Sequence, residues 1–366
     1  MLRDLDGLRV ALVAGTLGQG GAERQLAYIA GALVHSGSAV RVLSLTQGEF
    51  WEEPIRRLGV PVEWVGAQPG RAARAVAITR AAKAHRADIV QSQHFYTNLY
   101  AAAAARATGA REVGAIRCNT RWEAADLGRV LGALSLRVPR IVAANSRAAI
   151  QAAVDLGVPA GRLRFLPNVV DTARFDGGGR PADGTVRVLG VGRAVRQKRF
   201  DRFLDVIAAT RARTRGPVRG VLVTTSGDQE ADLAERASRL GLNDGTLELR
   251  RAVADMAAVY RSADILLLTS DWEGTPNVVL EAMASGLPVV ATNVGGVPDI
   301  VHHDITGLLS DPGDDGSLVT DLVRLIDCDR ERSEMGRRAH AFVRERHGIE
   351  TLPGRLLELY ERVTAR

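Results

Sequence analysis

The stretch SDWEGTPNVVLEAMASG, residues 270–286, carries two glutamates, Glu273 and Glu281, eight positions apart. Thr275 suits a helix N-cap and Pro276 suits the first helical position, so we expect Glu273 before a helix and Glu281 inside its second turn. Carboxylates accept hydrogen bonds from hydroxyl groups, and the bare helix start between them favours a phosphate. The pattern indicates a polyhydroxylated, phosphorylated ligand. The alternative is a capping Glu273 and a surface Glu281.

Cations follow the strand pattern VRVLGVG, which Gly192 closes. Arg193 comes next, and Lys198 lies five residues after it. Cations beside a glycine turn at the carboxyl edge of a sheet are well matched to an anionic group. A solvated basic loop is the alternative, because Arg196 and Arg199 are also present and the four cations cannot all be ligands.

Another glycine turn, Gly18-Gln19-Gly20-Gly21, follows the first predicted strand and opens a helix. Glycine lets a backbone approach a ligand closely, and the N–H groups at a helix start favour anions. A phosphate contact and a plain strand-to-helix turn are equally consistent with it. The spacing is not Gly-x-Gly-x-x-Gly, and the sequence has no Gly-x-x-x-x-Gly-Lys-Ser/Thr run. These facts argue against a nicotinamide enzyme and a P-loop NTPase.

The chain that carries these residues alternates short β-branched runs with longer helical patterns, which predicts parallel sheets covered by helices. Residues 171–185, DTARFDGGGRPADGT, interrupt the alternation and indicate a linker. We therefore predict two doubly wound α/β domains, 1–170 and 186–350, with an amphipathic helix over 351–366. Ligands of such sheets bind at the carboxyl ends of the strands, so the expected site is a cleft across which the two domains face each other.

The chain has 366 residues and a formal net charge of +6. Residues 1–170 hold 21 Lys and Arg against 12 Asp and Glu, so an anionic partner or surface is expected for that half only. No zinc finger, RNP motif or aromatic-rich basic stretch supports nucleic-acid binding. Cys118 and Cys328 lack metal-ligand spacing, and we find no signal peptide and no membrane-spanning apolar run. We predict a cytoplasmic protein with reduced thiols.

The segment EGTPNVVLE, residues 273–281, is an E-x7-E motif, and EAMASGLPVVATNVGGVPDIV continues from it over 281–301. GGAER at 20–24, LPNVVD at 166–171 and VGRAVRQKRF at 191–200 precede it in order. Together these segments resemble retaining glycosyltransferase family 4, whose members have the GT-B fold. The resemblance spans nearly the whole chain. It implies a nucleotide sugar held mainly by the second domain, an acceptor on the first domain, and a final helix that returns to the first domain.

The resemblance also implies a role for each matching residue. Arg193 and Lys198 match the pair that binds the donor diphosphate. Glu281 matches the glutamate that binds the ribose hydroxyls, and Glu273 the one near the hydroxyls of the transferred sugar. The remaining implied donor contacts are Gly20 and Gly21 at the diphosphate, the backbone at Val253 for the nucleobase, and Gly274, Asn277 and Val278 at the sugar and phosphate.

The implied reaction releases a nucleoside diphosphate, with UDP or GDP as the expected nucleotide. Arg193, Lys198 and helix N-termini would stabilise its charge electrostatically, so we predict that no metal is needed. The strings Asp4-Leu5-Asp6 and Asp327-Cys328-Asp329 are poorly placed to hold a metal on a pyrophosphate. We expect Glu273 to orient the sugar while the leaving phosphate takes the proton of the acceptor, rather than to act as a nucleophile.

The acceptor side departs from many relatives, which carry a histidine where the strand GAIRCNT has Arg117. His94, at the end of the preceding strand, is the next catalytic candidate, and a structural histidine is equally consistent with the sequence. Arg117 indicates an anionic group on the acceptor. Arg121, with Trp122 and an apolar stripe after it, indicates a lipid or membrane surface, although buried stripes have the same spacing.

The leading hypothesis is a retaining hexosyltransferase that uses a glycan or lipid-linked acceptor in cell-envelope polysaccharide synthesis. It includes peripheral contact with the anionic inner face of the plasma membrane. Glycosylation of a soluble secondary metabolite is an alternative, and a nucleotide-sugar epimerase on the same fold is another. A catalytically silent binding subunit is disfavoured, because the donor-site cations and both glutamates are retained.

Overall fold

The computed structural model describes residues 4–67, 69–176, 183–253 and 255–364. The chain divides into two compact units. The N-terminal unit is Met1–Val169 together with Ile349–Arg366, and the C-terminal unit is Val170–Gly348.

The N-terminal unit is built on a seven-stranded sheet in which every pairing is parallel. Its strands are β1 Arg9–Ala14, β2 Ala39–Ser44, β3 Val62–Trp64, β4 Ile89–Ser92, β5 Arg111–Ile116, β6 Ile141–Ala144 and β7 Leu163–Phe165. Its helices are α1 Gly21–His35, α2 Glu52–Arg57, α3 Arg71–Ala84, α4 Asn98–Thr108, α5 Thr120–Asp126, α6 Arg129–Arg137, α7 Arg147–Asp155 and α15 Leu352–Thr364. β4 and β6 are buried at every position, as expected for strands with helices on both faces.

The C-terminal unit repeats the plan with a six-stranded parallel sheet. Its strands are β8 Val186–Ala194, β9 Val218–Gly227, β10 Leu247–Arg251, β11 Ile265–Leu268, β12 Val289–Thr292 and β13 Gly307–Ser310. Its helices are α8 Thr172–Phe175, α9 Phe200–Arg211, α10 Glu230–Arg239, α11 Met256–Arg261, α12 Asn277–Ala284, α13 Asp315–Asp327 and α14 Asp329–His347.

Both sheets have the strand order of a Rossmann-like fold. The order is β3-β2-β1-β4-β5-β6-β7 in the first and β10-β9-β8-β11-β12-β13 in the second. The direction of the strand order therefore reverses between β1 and β4 and between β8 and β11. At such a switch point the loops after the two strands run apart and leave a crevice for ligands. The predicted α/β class with two Rossmann-like parallel sheets is confirmed.

The segment predicted as a linker is only partly described. Residues 177–182 lie outside the described residues. Before them, Thr172–Phe175 forms α8, and buried Phe175 belongs to an apolar cluster of the C-terminal unit. This part of the predicted linker is therefore packed structure. Burial of the apolar Phe175 side chain lowers the free energy of the fold, which exposure in a solvated loop would not do.

The last helix, α15, packs on the N-terminal unit through its apolar stripe. Leu352, Leu356, Leu359 and Tyr360 share one buried cluster with residues of β1 and α1. This packing places Tyr360 beneath the carboxyl edge of the N-terminal sheet, where its hydroxyl donates to Gln91 Oε1 on β4 at 2.7 Å.

Candidate functional site

An ion pair joins the loops that follow β8 and β11, at the switch point of the C-terminal sheet. Lys198 Nζ lies 2.6 Å from Glu273 Oε1. The Ser270 hydroxyl donates to the same oxygen, also at 2.6 Å. Glu273 is 7% exposed, so its charge depends on these partners. The structure thus brings together two residues that the sequence separates by 75 positions. Ser270 was not found in the sequence analysis, although it stands only three residues before Glu273.

Backbone packing fixes the position of Glu273. Gly295 has φ +55°, and a Cβ there would lie 1.9 Å from the Glu273 carbonyl oxygen. The neighbouring Gly296 N–H donates to the Gly274 carbonyl at 2.9 Å. Only glycine meets both requirements at 295, the left-handed φ and the close approach. The Gly-Gly pair of the quoted motif therefore holds the loop that carries Glu273.

The turn that carries Lys198 is tied to the end of β11. Arg199 has a left-handed backbone, with φ 49° and ψ 49°, which is unfavourable for a residue with a side chain. The Thr269 hydroxyl lies 3.0 Å from the carbonyls of both Lys198 and Arg199. Arg199 also pairs with Asp271 at 3.1 Å, and Arg202 donates to the Thr269 carbonyl at 2.9 Å. These bonds hold the strained turn, so Lys198 projects from a rigid base.

Helix α12 starts one residue later than predicted. Pro276, rather than Thr275, is the N-cap, and no side chain caps the helix. The extended backbone of Pro276, with ψ 115°, explains the shift, because a helical residue needs a negative ψ. Asn277 and Val278 are then the first two helical residues, and both are partly exposed. The N-terminus of α12 thus follows Glu273 closely, and a helix N-terminus favours an anion.

Glu281 lies on the buried side of α12 and is only 4% exposed. The hydroxyl of Tyr260, on α11, donates to Glu281 Oε2 at 2.8 Å. The Tyr260 ring is itself fully buried and packs edge-on against Phe175, with 5.7 Å between ring centroids. The surface alternative for Glu281 is therefore wrong. No pattern in the sequence points to Tyr260, which has the spacing of an ordinary core residue.

Two other residues predicted to bind the donor, Arg193 and Val253, have exposed side chains. Arg193 is exposed and has no ion-pair partner among the residues that the structure describes. Val253 is exposed just after β10. Arg250 and Arg251 of that strand line a cavity of about 210 Å³. The roles of Arg193, Val253, Gly274, Asn277 and Val278 in donor binding stay predictions.

His94 lies at the other switch point, where β1 and β4 diverge. Its Nδ1 accepts the Gly15 N–H at 3.1 Å, so the proton of a neutral ring sits on Nε2. Nε2 lies 3.2 Å from Glu23 Oε1 and donates to it. The ring also stacks on Tyr96, with 5.5 Å between centroids. Both ring nitrogens are thus occupied by the protein. This geometry fits the structural alternative, and a catalytic or acceptor role for His94 stays a prediction.

Two acidic side chains, Glu23 and Glu49, lie beside the predicted glycine turn near His94. Gly20 is the N-cap of α1, and a Cβ there would lie 2.0 Å from Glu23 Oε2. Glu49 accepts hydrogen bonds from the Leu17 N–H and the Thr46 hydroxyl. Burial alone would raise the pKa of Glu49, but these bonds lower it below the ordinary value, so the group is charged at neutral pH. The diphosphate contact predicted for Gly20 and Gly21 stays a prediction.

The two arginines predicted at the acceptor side have different surroundings. Arg117, after β5, is partly buried, and its Nη1 donates to the Leu166 carbonyl at 3.3 Å. Arg121 is exposed and pairs with Asp155 on α7 at 2.9 Å. In the described parts of the chain, no three His, Cys, Asp or Glu side chains are grouped so that they could hold a metal ion.

Two family models match the chain in succession. A model described as Glycosyltransferase Family 4 matches residues 19–174, and a model described as Glycosyl transferases group 1 matches residues 185–328. The chain belongs to glycosyltransferase family 4. The first model covers Gly20, Gly21 and His94, and the second covers the Lys198–Glu273 pair and Glu281.

Curated proteins related to this family 4 chain include two bacterial enzymes. The chain is 29% identical to an MMP alpha-(1->4)-mannosyltransferase of Mycolicibacterium hassiacum, over 63% of this chain and 56% of that protein. It is 32% identical to a D-inositol 3-phosphate glycosyltransferase of Pseudarthrobacter chlorophenolicus, over 55% of this chain and 50% of that protein. The chain thus spans about half the length of the curated relatives that it matches.

Solved structures with the same fold cover the family 4 chain almost completely. The structure of Anabaena Alr3699/HepE in complex with UDP and glucose superimposes with a TM-score of 0.85 over 97% of this chain and 99% of that one. The two sequences are 22% identical. At this identity the likeness establishes the fold and leaves the ligands to be argued from the site.

Proposed function

We propose that the protein is a retaining hexosyltransferase, which moves a hexosyl group from a nucleoside diphosphate sugar to an acceptor hydroxyl. The observation that carries the proposal is the Lys198–Glu273 ion pair at the switch point of β8 and β11, 2.6 Å long. A fixed cation and a buried carboxylate at this place meet the two needs of the donor, a diphosphate and a set of sugar hydroxyls.

The donor is assigned to the C-terminal unit. Arg193 and Lys198 would bind the diphosphate, together with the backbone at Asn277 and Val278 at the start of α12. Glu281, buried and oriented by Tyr260, would accept the ribose hydroxyls. Gly274 would allow the sugar to approach the backbone, the backbone at Val253 would meet the nucleobase, and Gly20 and Gly21 would close on the diphosphate.

The reaction places its largest change of charge on the departing diphosphate, because cleavage of the anomeric bond leaves both electrons on a phosphate oxygen. The hydrogen-bonded turn at Arg199 fixes the backbone of Lys198 before the donor binds. Lys198 would therefore stabilise the charge of the diphosphate without a rearrangement of the loop. Glu273 would orient the sugar hydroxyls, and the leaving phosphate would take the proton of the acceptor. We propose that the cations suffice without a metal ion.

A thermal-shift screen with UDP, GDP, TDP and their sugars tests the donor assignment. A ligand that binds only the folded state raises the unfolding temperature. We expect one nucleotide series to do so in the wild type, and Lys198→Ala or Glu281→Ala to lose most of the shift. Wild-type turnover with saturable donor binding in either variant would overturn the site. Loss of activity in EDTA would overturn the metal-independent mechanism.

For the acceptor, we propose a glycan or lipid-linked molecule met at the anionic inner face of the plasma membrane by a cytoplasmic protein. The support is a surface on α5 and α6 on which Trp122, Val130 and Leu134 are exposed beside Arg129 and Arg137. Exposed apolar and basic side chains together favour anionic lipid surfaces. Within the described residues, no helix has the length and hydropathy of a membrane span.

Co-sedimentation with vesicles tests the membrane contact. Vesicles with anionic lipid should bind the wild type, and Trp122→Ser with Val130→Ser should release it, while neutral vesicles bind neither. Equal binding by the variant, or none by the wild type, would leave a soluble acceptor as the better assignment. Conversion of the nucleotide sugar without any acceptor would indicate the epimerase alternative instead.

A further inference from the structure

An incompletely satisfied guanidinium lies at the carboxyl edge of the N-terminal sheet. Arg117 follows β5, and its Nη1 donates to the Leu166 carbonyl at 3.3 Å. Its Nε and Nη2 are buried and have no hydrogen-bond acceptor in the part of the chain that the structure describes. Buried donors normally have a partner, and buried cations almost always have one. Two unsatisfied donors on one side of a planar guanidinium therefore point to a missing oxygen-bearing group.

A second buried donor belongs to the same edge. Gln91 is only 1% exposed, and its Nε2 also has no acceptor in the described residues. The Gln91 Oε1 atom accepts the Tyr360 hydroxyl at 2.7 Å, which leaves Nε2 as the atom without a partner. One apolar cluster connects the two residues, because it contains both Leu166, whose carbonyl accepts from Arg117, and Tyr360, whose hydroxyl donates to Gln91. Gln91 and Arg117 thus offer three N–H-bearing atoms beside one buried cluster.

The nearest carboxylate does not supply the missing acceptor. Glu123 on α5 accepts the Cys118 N–H at 3.3 Å, and within the described residues no hydrogen bond joins it to Nε or Nη2 of Arg117. Burial raises the pKa of Glu123 to about 7, so part of it is protonated at neutral pH. Burial also lowers the pKa of Arg117, to about 10, and the nearby charge of Glu123 offsets only part of this effect.

We propose that Arg117 and Gln91 form a subsite for a phosphate or carboxylate group of the acceptor. The inference rests on the proposed transferase function and specifies the acceptor as an anion. Nε and Nη2 of Arg117 form the planar fork that binds two oxygens of such a group at once. Gln91 Nε2 donates to an oxygen of the same group. Arg117 follows β5 and Gln91 lies near the end of β4, at the carboxyl edge, where ligands of such a sheet bind.

Binding of inorganic phosphate tests the subsite directly. The experiment uses the full chain with Arg193→Ala and Lys198→Ala, so that the donor site does not contribute. Calorimetric titration should still detect phosphate, and adding Arg117→Lys should weaken it by about tenfold or more, because lysine keeps the charge but loses the fork. Gln91→Leu should weaken binding less. Thermal unfolding without phosphate checks that each variant is folded. Malonate in place of phosphate identifies a carboxylate site if it binds more tightly.

Transfer assays separate this inference from the proposed function. With an otherwise wild-type chain, Arg117→Lys should raise KM for an anionic acceptor about tenfold and leave KM for its neutral analogue and the donor Kd unchanged. Phosphate affinity that is equal with and without Arg117→Lys would overturn the subsite and indicate ordered water at these donors. Absence of any donor binding by the wild type would overturn the transferase proposal, whereas the phosphate titration does not depend on it.

Discussion

The switch points of the two sheets occupy equivalent places in the fold and have opposite character. At the ends of β8 and β11 the chain presents Arg193 and Lys198, and the buried carboxylate of Glu273 is paired with Lys198. Beside β1 and β4, α1 presents Glu23 and the loop after β2 presents Glu49, and His94 has both ring nitrogens bound. The same strand order thus supports a cationic crevice in one unit and an acidic one in the other.

The difference shows that topology supplies the position of a site and side chains decide its ligand. A diphosphate is matched by cations and by the backbone N–H groups of a helix start, which the C-terminal crevice has. Carboxylates accept hydrogen bonds from hydroxyls and repel phosphates, so the part of the N-terminal crevice beside Glu23 and Glu49 suits a polyol, whereas the anionic group proposed above would lie at Arg117 and Gln91. Glu23 Oε2 lies where a Cβ at Gly20 would be, so only glycine leaves room for this carboxylate, and the diphosphate contact of Gly20 and Gly21 stays a prediction.

Lys198→Ala should have the largest effect, because it removes the cation that neutralises the leaving diphosphate. We expect kcat for transfer to fall by about 10²–10³-fold. Lys83→Ala is the matched control, since Lys83 is the only other lysine and is exposed on α3. Steady-state kinetics measure both. A loss of less than threefold in Lys198→Ala would remove the functional contrast between the two crevices.

Glu281→Ala should weaken donor binding by about 10–100-fold, the usual range for lost hydrogen bonds to a charged group. Tyr260→Phe should weaken it less, because the carboxylate remains and only its 2.8 Å orienting bond is lost. Calorimetric titration with the nucleotide found in the screen provides the measurement. Glu235→Ala, on the exposed face of α10, is the control. A larger effect for Tyr260→Phe than for Glu281→Ala would contradict the assignment.

His94→Gln separates a structural role from a catalytic one in the N-terminal crevice. If His94 only joins Gly15 to Glu23, the variant should lose about 1–2 kcal/mol in its free energy of unfolding and keep its turnover per folded molecule. Urea unfolding and kcat are measured on the same preparation. Collapse of kcat without loss of stability would support the catalytic role that the sequence predicts.

Glu123 should produce the smallest effect, a pH dependence of stability. Its pKa is raised from 4.5 to about 7 in the folded protein, so the folded state binds its proton more tightly than the unfolded state. The resulting stability is complete below pH 4.5 and is lost as the pH rises through about 7. Glu123→Gln should remove about 1 kcal/mol of this dependence, seen as a smaller fall in unfolding temperature between pH 5 and 8. An unchanged pH profile would contradict a buried Glu123.

Much of the site was predictable because the residues that carry it stand within one motif. Within about 25 residues of chain lie the Glu273–Glu281 spacing, the helix start near Pro276 and the Gly295–Gly296 pair. Over such a short segment, local backbone preferences determine where the helix begins and which residues precede it. The helix start was misplaced by one residue, since Thr275 and Pro276 both satisfy cap preferences and the backbone angle of Pro276 decides between them.

The sequence by itself determined the alternation of strands and helices, the two parallel sheets and the residue types at their carboxyl ends. Only the tertiary structure decided which side chains meet, because parallel strands bring together loops that are distant along the chain. Lys198 reaches Glu273 across 75 positions, Gly15 reaches His94 across 79, and Tyr360 reaches Gln91 across 269. No local pattern encodes such pairings, since each partner has the spacing of an ordinary strand end or buried helix face.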